Sequence, residues 1–204
     1  MERTTGAEQI IRAAEPLFAA HGYDGVSMQR IAVAAGVSKA NIYHHFPSKK
    51  ALYLAVLRYA LEDIQALLTE LHQAEGDSRE KLAHFARAQL EHLLEHDCLA
   101  RLVLRELLDG DHARGRELAE QVFAGYFNLV QALLAQGQRE GQVRRDVDAG
   151  HMAAAIAALN VFLFQNWPAL KHLPGDRFVD IRDSGRTLFA LLFDGLNARG
   201  GSHA

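Results

Sequence analysis

The sequence predicts an all-α chain of about nine helices, divided into a small N-terminal part and a larger C-terminal one. Three observations lead there. Apolar residues recur at three- and four-residue spacing through most of the 204 residues, and no stretch alternates with period two long enough to make a strand. Serines and glycines punctuate residues 27–50 at intervals that start and stop short helices. Charge is uneven: 6 of the 22 Lys+Arg and 4 of the 25 Asp+Glu fall in residues 1–50, leaving 16 against 21 behind them.

Taken in order, residues 1–5 read as a short arm from which Arg3 can reach a phosphate. A first helix, about 6–20, turns Ile10, Ala14, Leu17 and Phe18 inward. Pro16 sits inside it, where a proline deletes one backbone bond at a cost of about 3 kcal/mol unless the helix kinks, so a kink or loosening is expected near Arg12. His21 and Gly22 end the helix, and Tyr23-Asp24-Gly25 make the turn that follows. Ser27 can cap a short helix with Met28, Ile31, Ala32 and Ala35 on one face, ended by Gly36 in the left-handed conformation. Ser38 caps a second, which hides Ile42 and Phe46 and stops before Pro47; Ser48 caps the next. Two short helices around a tight glycine turn form a helix-turn-helix, whose second helix enters the major groove of DNA.

From Lys49 one long helix is expected to about Leu71, with Leu57, Leu61, Ile64, Leu68 and Leu71 on a stripe, linking basic head to acidic body. A turn at 74–78, with Ser78 as cap, precedes helices over 79–95, 99–108 and 113–136. The polar connector 140–148 ends in Asp148, which can cap a helix over 149–170; a break at 173–176 separates it from a last helix, 181–198.

The charge pattern carries the functional reading. Between Asp24 and Glu62 there are 37 residues without a carboxylate, holding Arg30, Lys39, Lys49, Lys50 and Arg58 beside His44 and His45. A surface that approaches phosphates excludes acids, because each one repels the backbone that the cations neutralise. Ser38, Lys39, Asn41, Tyr43 and His44 lie opposite Ile42 and Phe46, where side chains touch base edges or phosphates; Ser27 and Gln29 begin the preceding helix in the same zone.

Residues 10–57 resemble the N-terminal domain of the TetR family of bacterial transcriptional regulators, through LFAAHGYDGVSM, the AAGVSK turn, NIYHHFPSK and ALYLAVL. The resemblance implies a DNA-binding domain over 1–48 and an effector-binding and dimerisation domain over 49–204. It makes the Tyr43 hydroxyl and Lys49 phosphate ligands. Ala40 departs from the glycine or polar residue common in relatives and offers a thymine methyl contact at most. The resemblance further implies a cavity for a small effector in the body, here an apolar or aromatic one. Phe85, Leu90, Leu102, Phe123, Tyr126, Phe127, Phe164 and Trp167 are candidate lining residues, with Arg101 and Asn160 to orient the ligand. The plainer account of aromatics at helical spacing is an ordinary core. A homodimer is implied as well, through a four-helix bundle of the last two helices, with Ala153, Ala157, Leu188, Leu192 and Leu196 at the interface. Two heads must also reach half-sites about 34–36 Å apart on the duplex.

Other readings fare worse. One cysteine fits a reducing cytoplasm, and the polar stretch 1–9 is no signal peptide. Residues 152–170 are apolar but broken by Asn160, Gln165, Asn166 and Pro168, so a buried helix and no membrane partner are expected. His92 and His96, four apart with Cys98 following, share a face able to chelate a metal, but no third ligand is assured and no metal or cofactor is expected. No nucleophile–base pair, phosphate loop or carboxylate pair argues for an enzyme. The sequence thus points to a dimeric repressor that binds operator DNA and is released by a small effector. The alternative is an architectural DNA-binding protein with the same head and a solid body.

Overall fold

The computed structural model describes residues 5–109, 112–175 and 178–196, without the side chains of 108–114 and 195–196. The described residues form eleven α-helices, one π-helical turn and no strand. In chain order they are α1 (Gly6–His21), α2 (Met28–Ala35), α3 (Lys39–His45), α4 (Lys49–Tyr59), α5 (Glu62–Gln73), α6 (Ser78–Glu95), α7 (Asp97–Asp109), α8 (His112–Leu118), the π turn Ala119–Phe123, α9 (Ala124–Arg139), α10 (Ala149–Leu170) and α11 (Ile181–Leu196).

Packing divides the chain into two compact units: residues up to Glu62 with His96–Ala124, and Asp63–Glu95 with residues from Gly125 onward. In the first unit, α1 to α4 share one core with α7, α8 and the π turn. Ile10, Ala14 and Phe18 meet Ile31, Ile42, Leu52 and Val56, joined by Leu102, Leu118 and Val122. The ring of Tyr53 stands edge-on to Phe18 and Tyr23 at 4.8 and 5.1 Å, and its hydroxyl donates to buried Glu106 at 2.7 Å. Helix α4 therefore belongs to the head by packing, although the sequence division falls at residue 48.

In the second unit α6, α10 and α11 pack against one another. The approach is close at Gly185, where a Cβ would stand 2.7 Å from Leu90 Cδ2, which is why a glycine sits in the middle of α11. Helix α10 buries Met152, Ala153, Ile156, Asn160, Leu163 and Phe164, at the spacing of one helical face. By length and composition it is apolar enough to cross a membrane, yet only 28 % of its apolar window is buried in the chain. The buried helix expected from sequence is therefore buried on one face only. Ala154, Ala155, Ala158 and Phe162 stand outside.

Several expected boundaries are corrected. The single helix over 49–71 is two, because the chain tightens at Ala60 and Leu61, where Leu61 N–H donates to Arg58 O at 2.9 Å, three residues back. The helix over 113–136 is α8, the π turn and α9 in succession. Ser78 does not cap α6: Asp77 does, accepting from Arg79 N at 2.6 Å, while Ser78 is buried inside the first turn and its hydroxyl donates to Glu140 at 2.9 Å. Helix α1 runs unbroken from Gly6 to His21 with Pro16 inside it, and Arg12, four residues before the proline, is exposed. Arg3 and the end of the last helix, 197–198, lie outside the described residues.

Candidate nucleic-acid interface

Three serines build the head's outer surface in the same way. The hydroxyls of Ser27, Ser38 and Ser48 accept from Arg30, Asn41 and Ala51 N–H at 3.2, 3.1 and 3.0 Å, fixing the starts of α2, α3 and α4. Gly36, at φ 66°, closes α2 and turns the chain into α3; its N–H reaches back to Val33 O at 3.2 Å. Because α3 is only seven residues long, one buried side chain fixes its rotation: Ile42 is wholly enclosed and Phe46 is buried just beyond the helix. The opposite face is then forced outward. Ser38, Lys39, Ala40, Asn41, Tyr43 and His44 are all exposed, as are Ser27 and Gln29 beside them.

Aromatic contacts restrain two cations of this surface. The Lys49 ammonium lies 4.3 Å from the centre of the Tyr23 ring, and that of Lys39 lies 5.8 Å from the Tyr43 ring. Two more are engaged. Arg30 donates to His21 Nε2 at 2.8 Å, and Lys50 pairs with Glu117 at 2.8 Å. Glu117, from α8, thus brings a carboxylate to the edge of the zone that lacks acids in sequence. The arrangement offers hydroxyls, an amide, one phenol and two ammoniums to a polyanion. No acid of residues 25–61 stands among them.

The candidate lining residues of the body divide between the units. Arg101, Leu102 and Phe123 belong to the first. There Leu102 is core and Phe123 is partly buried against it, while Arg101 is exposed and donates to Asp97 at 2.9 Å. Phe85, Leu90, Tyr126, Asn160 and Phe164 are buried in the second unit, Trp167 is half-buried and Phe127 is exposed. Phe85 and Tyr126 meet at 6.1 Å between ring centres, and Tyr126 and Phe127 at 5.3 Å. Leu90 packs with Leu163 and Ile181, and Trp167 against them.

Asn160 is held from two sides: its Nδ2 donates to Ala86 O and to Gln89 Oε1, both at 2.8 Å. Gln89 Nε2 in turn donates to the Tyr126 hydroxyl. Burial pushes the Tyr126 phenol well above its ordinary value of 10.0, against a smaller opposing effect of the Gln89 bond, so it stays protonated. Gln89 escaped the sequence reading. Its signal was a polar residue on the inward face that α6 builds from Leu82, Phe85, Ala86 and Leu90.

Of the residues expected at a dimer interface, Ala153 is fully buried within its own chain. Ala157, Leu188 and Leu192 are half-buried, and the Leu196 side chain lies outside the described residues. His92 lies on α6, and Cys98 is exposed on α7.

Residues 10–56 match the family model described as bacterial regulatory proteins, tetR family, and residues 79–185 match that of the tetracyclin repressor-like C-terminal domain. The HTH-type transcriptional activator FasR of Mycolicibacterium smegmatis is 32 % identical over 172 residues, covering 84 % of this chain and 74 % of its own. The HTH-type transcriptional repressor AcnR of Corynebacterium diphtheriae is 33 % identical over 145 residues, 69 % of each chain. In fold, the chain is similar to the transcriptional regulator FadR of Bacillus subtilis, solved in complex with stearoyl-CoA, with a TM-score of 0.76 at 22 % identity over 93 % of this chain and 98 % of that one.

Proposed function

Starting from the fact that this chain belongs to the TetR family of bacterial transcriptional regulators, we propose that it is a cytoplasmic, dimeric repressor released from its operator by a small apolar or aromatic effector, and that it is not an enzyme. One observation carries the DNA half of this reading. Ile42 is locked inside, which leaves Lys39, Asn41, Tyr43 and His44 exposed together on α3. In this reading Lys39, Ala40, Asn41 and His44 meet base edges. Ser27, Gln29, Ser38, Tyr43 and Lys49 meet phosphates and set the register. The N-terminal end of α4 adds its partial positive charge beside Lys49.

The dimer rests on the outer face of α10. Ala154 and Ala158 permit a close helix approach and Phe162, 50 % exposed, offers an anchor; on α11 Leu191 is 65 % exposed. Covering these apolar groups against a second copy makes the four-helix bundle that places two heads on one duplex. The functional division sets the DNA-reading helices, up to residue 48, apart from the effector and dimerisation part from 49 onward, whose first helix α4 packs with the head. The regulatory step is a population shift. An effector that binds one spacing of the heads better than the other moves the balance by that difference and no more; full switching needs about 10⁴-fold.

The test is selection of bound duplexes from random DNA by the full chain. An inverted repeat with half-sites one helical turn, or a multiple of it, apart is expected. Enrichment of no motif would leave the architectural reading in its place.

A further inference from the structure

The buried chain of hydrogen bonds in the second unit has a direction. Asn160 Nδ2 faces two acceptors, Ala86 O and Gln89 Oε1, so the amide orientation of Asn160 is settled by its partners. With Gln89 Oε1 accepting, Gln89 Nε2 donates to the Tyr126 oxygen. Each end of the relay is then left with one capacity. The Tyr126 hydroxyl, having accepted, still has its proton to give. Asn160 Oδ1 is fully buried and has no hydrogen-bond partner among the described residues. Such an acceptor costs free energy unless something donates to it. The single amide of Gln89 bridges both ends, so the unused donor and the unused acceptor belong to one connected relay.

The surroundings narrow that group further. Phe85, Tyr126 and Phe164 are buried side chains of the same unit, and among the described residues no charged side chain joins the relay. An anion placed there would lose its hydration without gaining a cation.

Resting on the reading that the second unit takes a small effector, we propose that Tyr126 and Asn160 form a two-point site for one neutral group that both accepts and donates, on an otherwise apolar molecule. A carboxamide, an alcohol or an undissociated acid satisfies it. The ligand's oxygen accepts from the Tyr126 hydroxyl and its N–H or O–H donates to Asn160 Oδ1. A carboxylate lacks the donor and an ester lacks it too. Gln89 is a positioning residue that touches neither atom of the ligand.

Calorimetry on the full chain without DNA tests this, using octanamide and benzamide against methyl octanoate and methyl benzoate, with octanoate at pH 8. The amide of at least one body is expected to bind about fivefold or more tightly than its ester, and the carboxylate least well. In Asn160→Leu the amide's advantage over the ester disappears. In the milder Tyr126→Phe, which removes one oxygen, amide and ester weaken together by a similar factor; circular dichroism checks that both variants fold. Equal binding of amide and ester, a preference that survives Asn160→Leu, or no binding of any probe would overturn the site and leave the relay a purely structural network. A DNA-release assay on the same probes separates this from the regulator reading. Amide preference without release keeps the site and removes induction; release by octanoate without amide preference does the reverse.

Discussion

Ile42 and its neighbour Asn41 separate what folds the head from what reads DNA. Ile42 is wholly enclosed in the core of the first unit, and it alone sets the rotation of the short α3. Truncating it to alanine removes about three carbon groups worth roughly 0.8 kcal/mol each, and the cavity left behind raises the cost to about 3–4 kcal/mol. For a chain of this size that is about 10 °C in Tm. Asn41 is exposed on the same helix, where its backbone N–H donates to the Ser38 hydroxyl. Asn41→Ala therefore moves stability by less than about 0.5 kcal/mol. If the side chain reads a base, the same change costs about 1–3 kcal/mol of binding to a selected operator and relaxes the sequence at one symmetric pair of positions. Thermal melts and fluorescence anisotropy measure the two effects side by side. A destabilised Asn41→Ala that binds normally, or an Ile42→Ala as stable as wild type, would refute the reasoning.

Four further outcomes follow from the same geometry. Lys49→Ala should weaken binding nearly equally for all sequences and lower the salt slope by about 1, whereas an unchanged slope in a salt titration strikes Lys49 from the phosphate contacts. Glu117→Gln frees Lys50 and removes the carboxylate 2.8 Å from it, so DNA should bind more tightly at low salt with a steeper slope; no change means that this edge stays clear of the duplex. Tyr53→Phe deletes the hydroxyl that donates to buried Glu106, which should cost about 1–3 kcal/mol in chemical denaturation, and an unchanged midpoint would make that bond idle. Asp148 accepts from the His151 N–H at 3.0 Å and from its ring, which hold its carboxyl below the ordinary 3.8. A lowered folded value means stability that is present above pH 3.8 and lost as acid titrates the folded carboxylate. Asp148→Ala should thus melt earlier than wild type at pH 7, with the gap closing only as the pH falls below 3.8; a gap independent of pH contradicts the cap.

What could be read from the sequence depended on how local its cause was. Ser27, Ser38, Ser48 and Gly36 act within three or four residues of themselves, and each does what its position implied. The outward face of α3 followed from Ile42 and Phe46 by helical period alone. The break after Tyr59 had no such sign, because Ala60 and Leu61 are good helix formers and only the packing of each half on different neighbours ends α4 there. Leu118 and Val122 join the head's core while Tyr126 is buried in the second unit, and nothing in AEQVF announces the π turn at Ala119–Phe123. Ser78 was the expected cap, but Glu140, sixty-two residues away, takes its hydroxyl, and Asp77 accepts from the first turn instead. Glu117 reaching Lys50 and Gln89 reaching Asn160 are likewise long-range. They shaped the interface and the buried relay in ways that charge counts and apolar stripes do not record.

The chain has five lysines, three of them at 39, 49 and 50 in the head, one buried at 81 and one exposed at 171 in the second unit. Acetylation rates read by mass spectrometry, with and without selected duplex DNA, therefore carry their own control. DNA is predicted to slow modification of Lys39 and Lys49 and to leave Lys171 unchanged. Equal rates at Lys39 in both states, or protection of Lys171 in its place, would contradict the assignment of α3 to the groove.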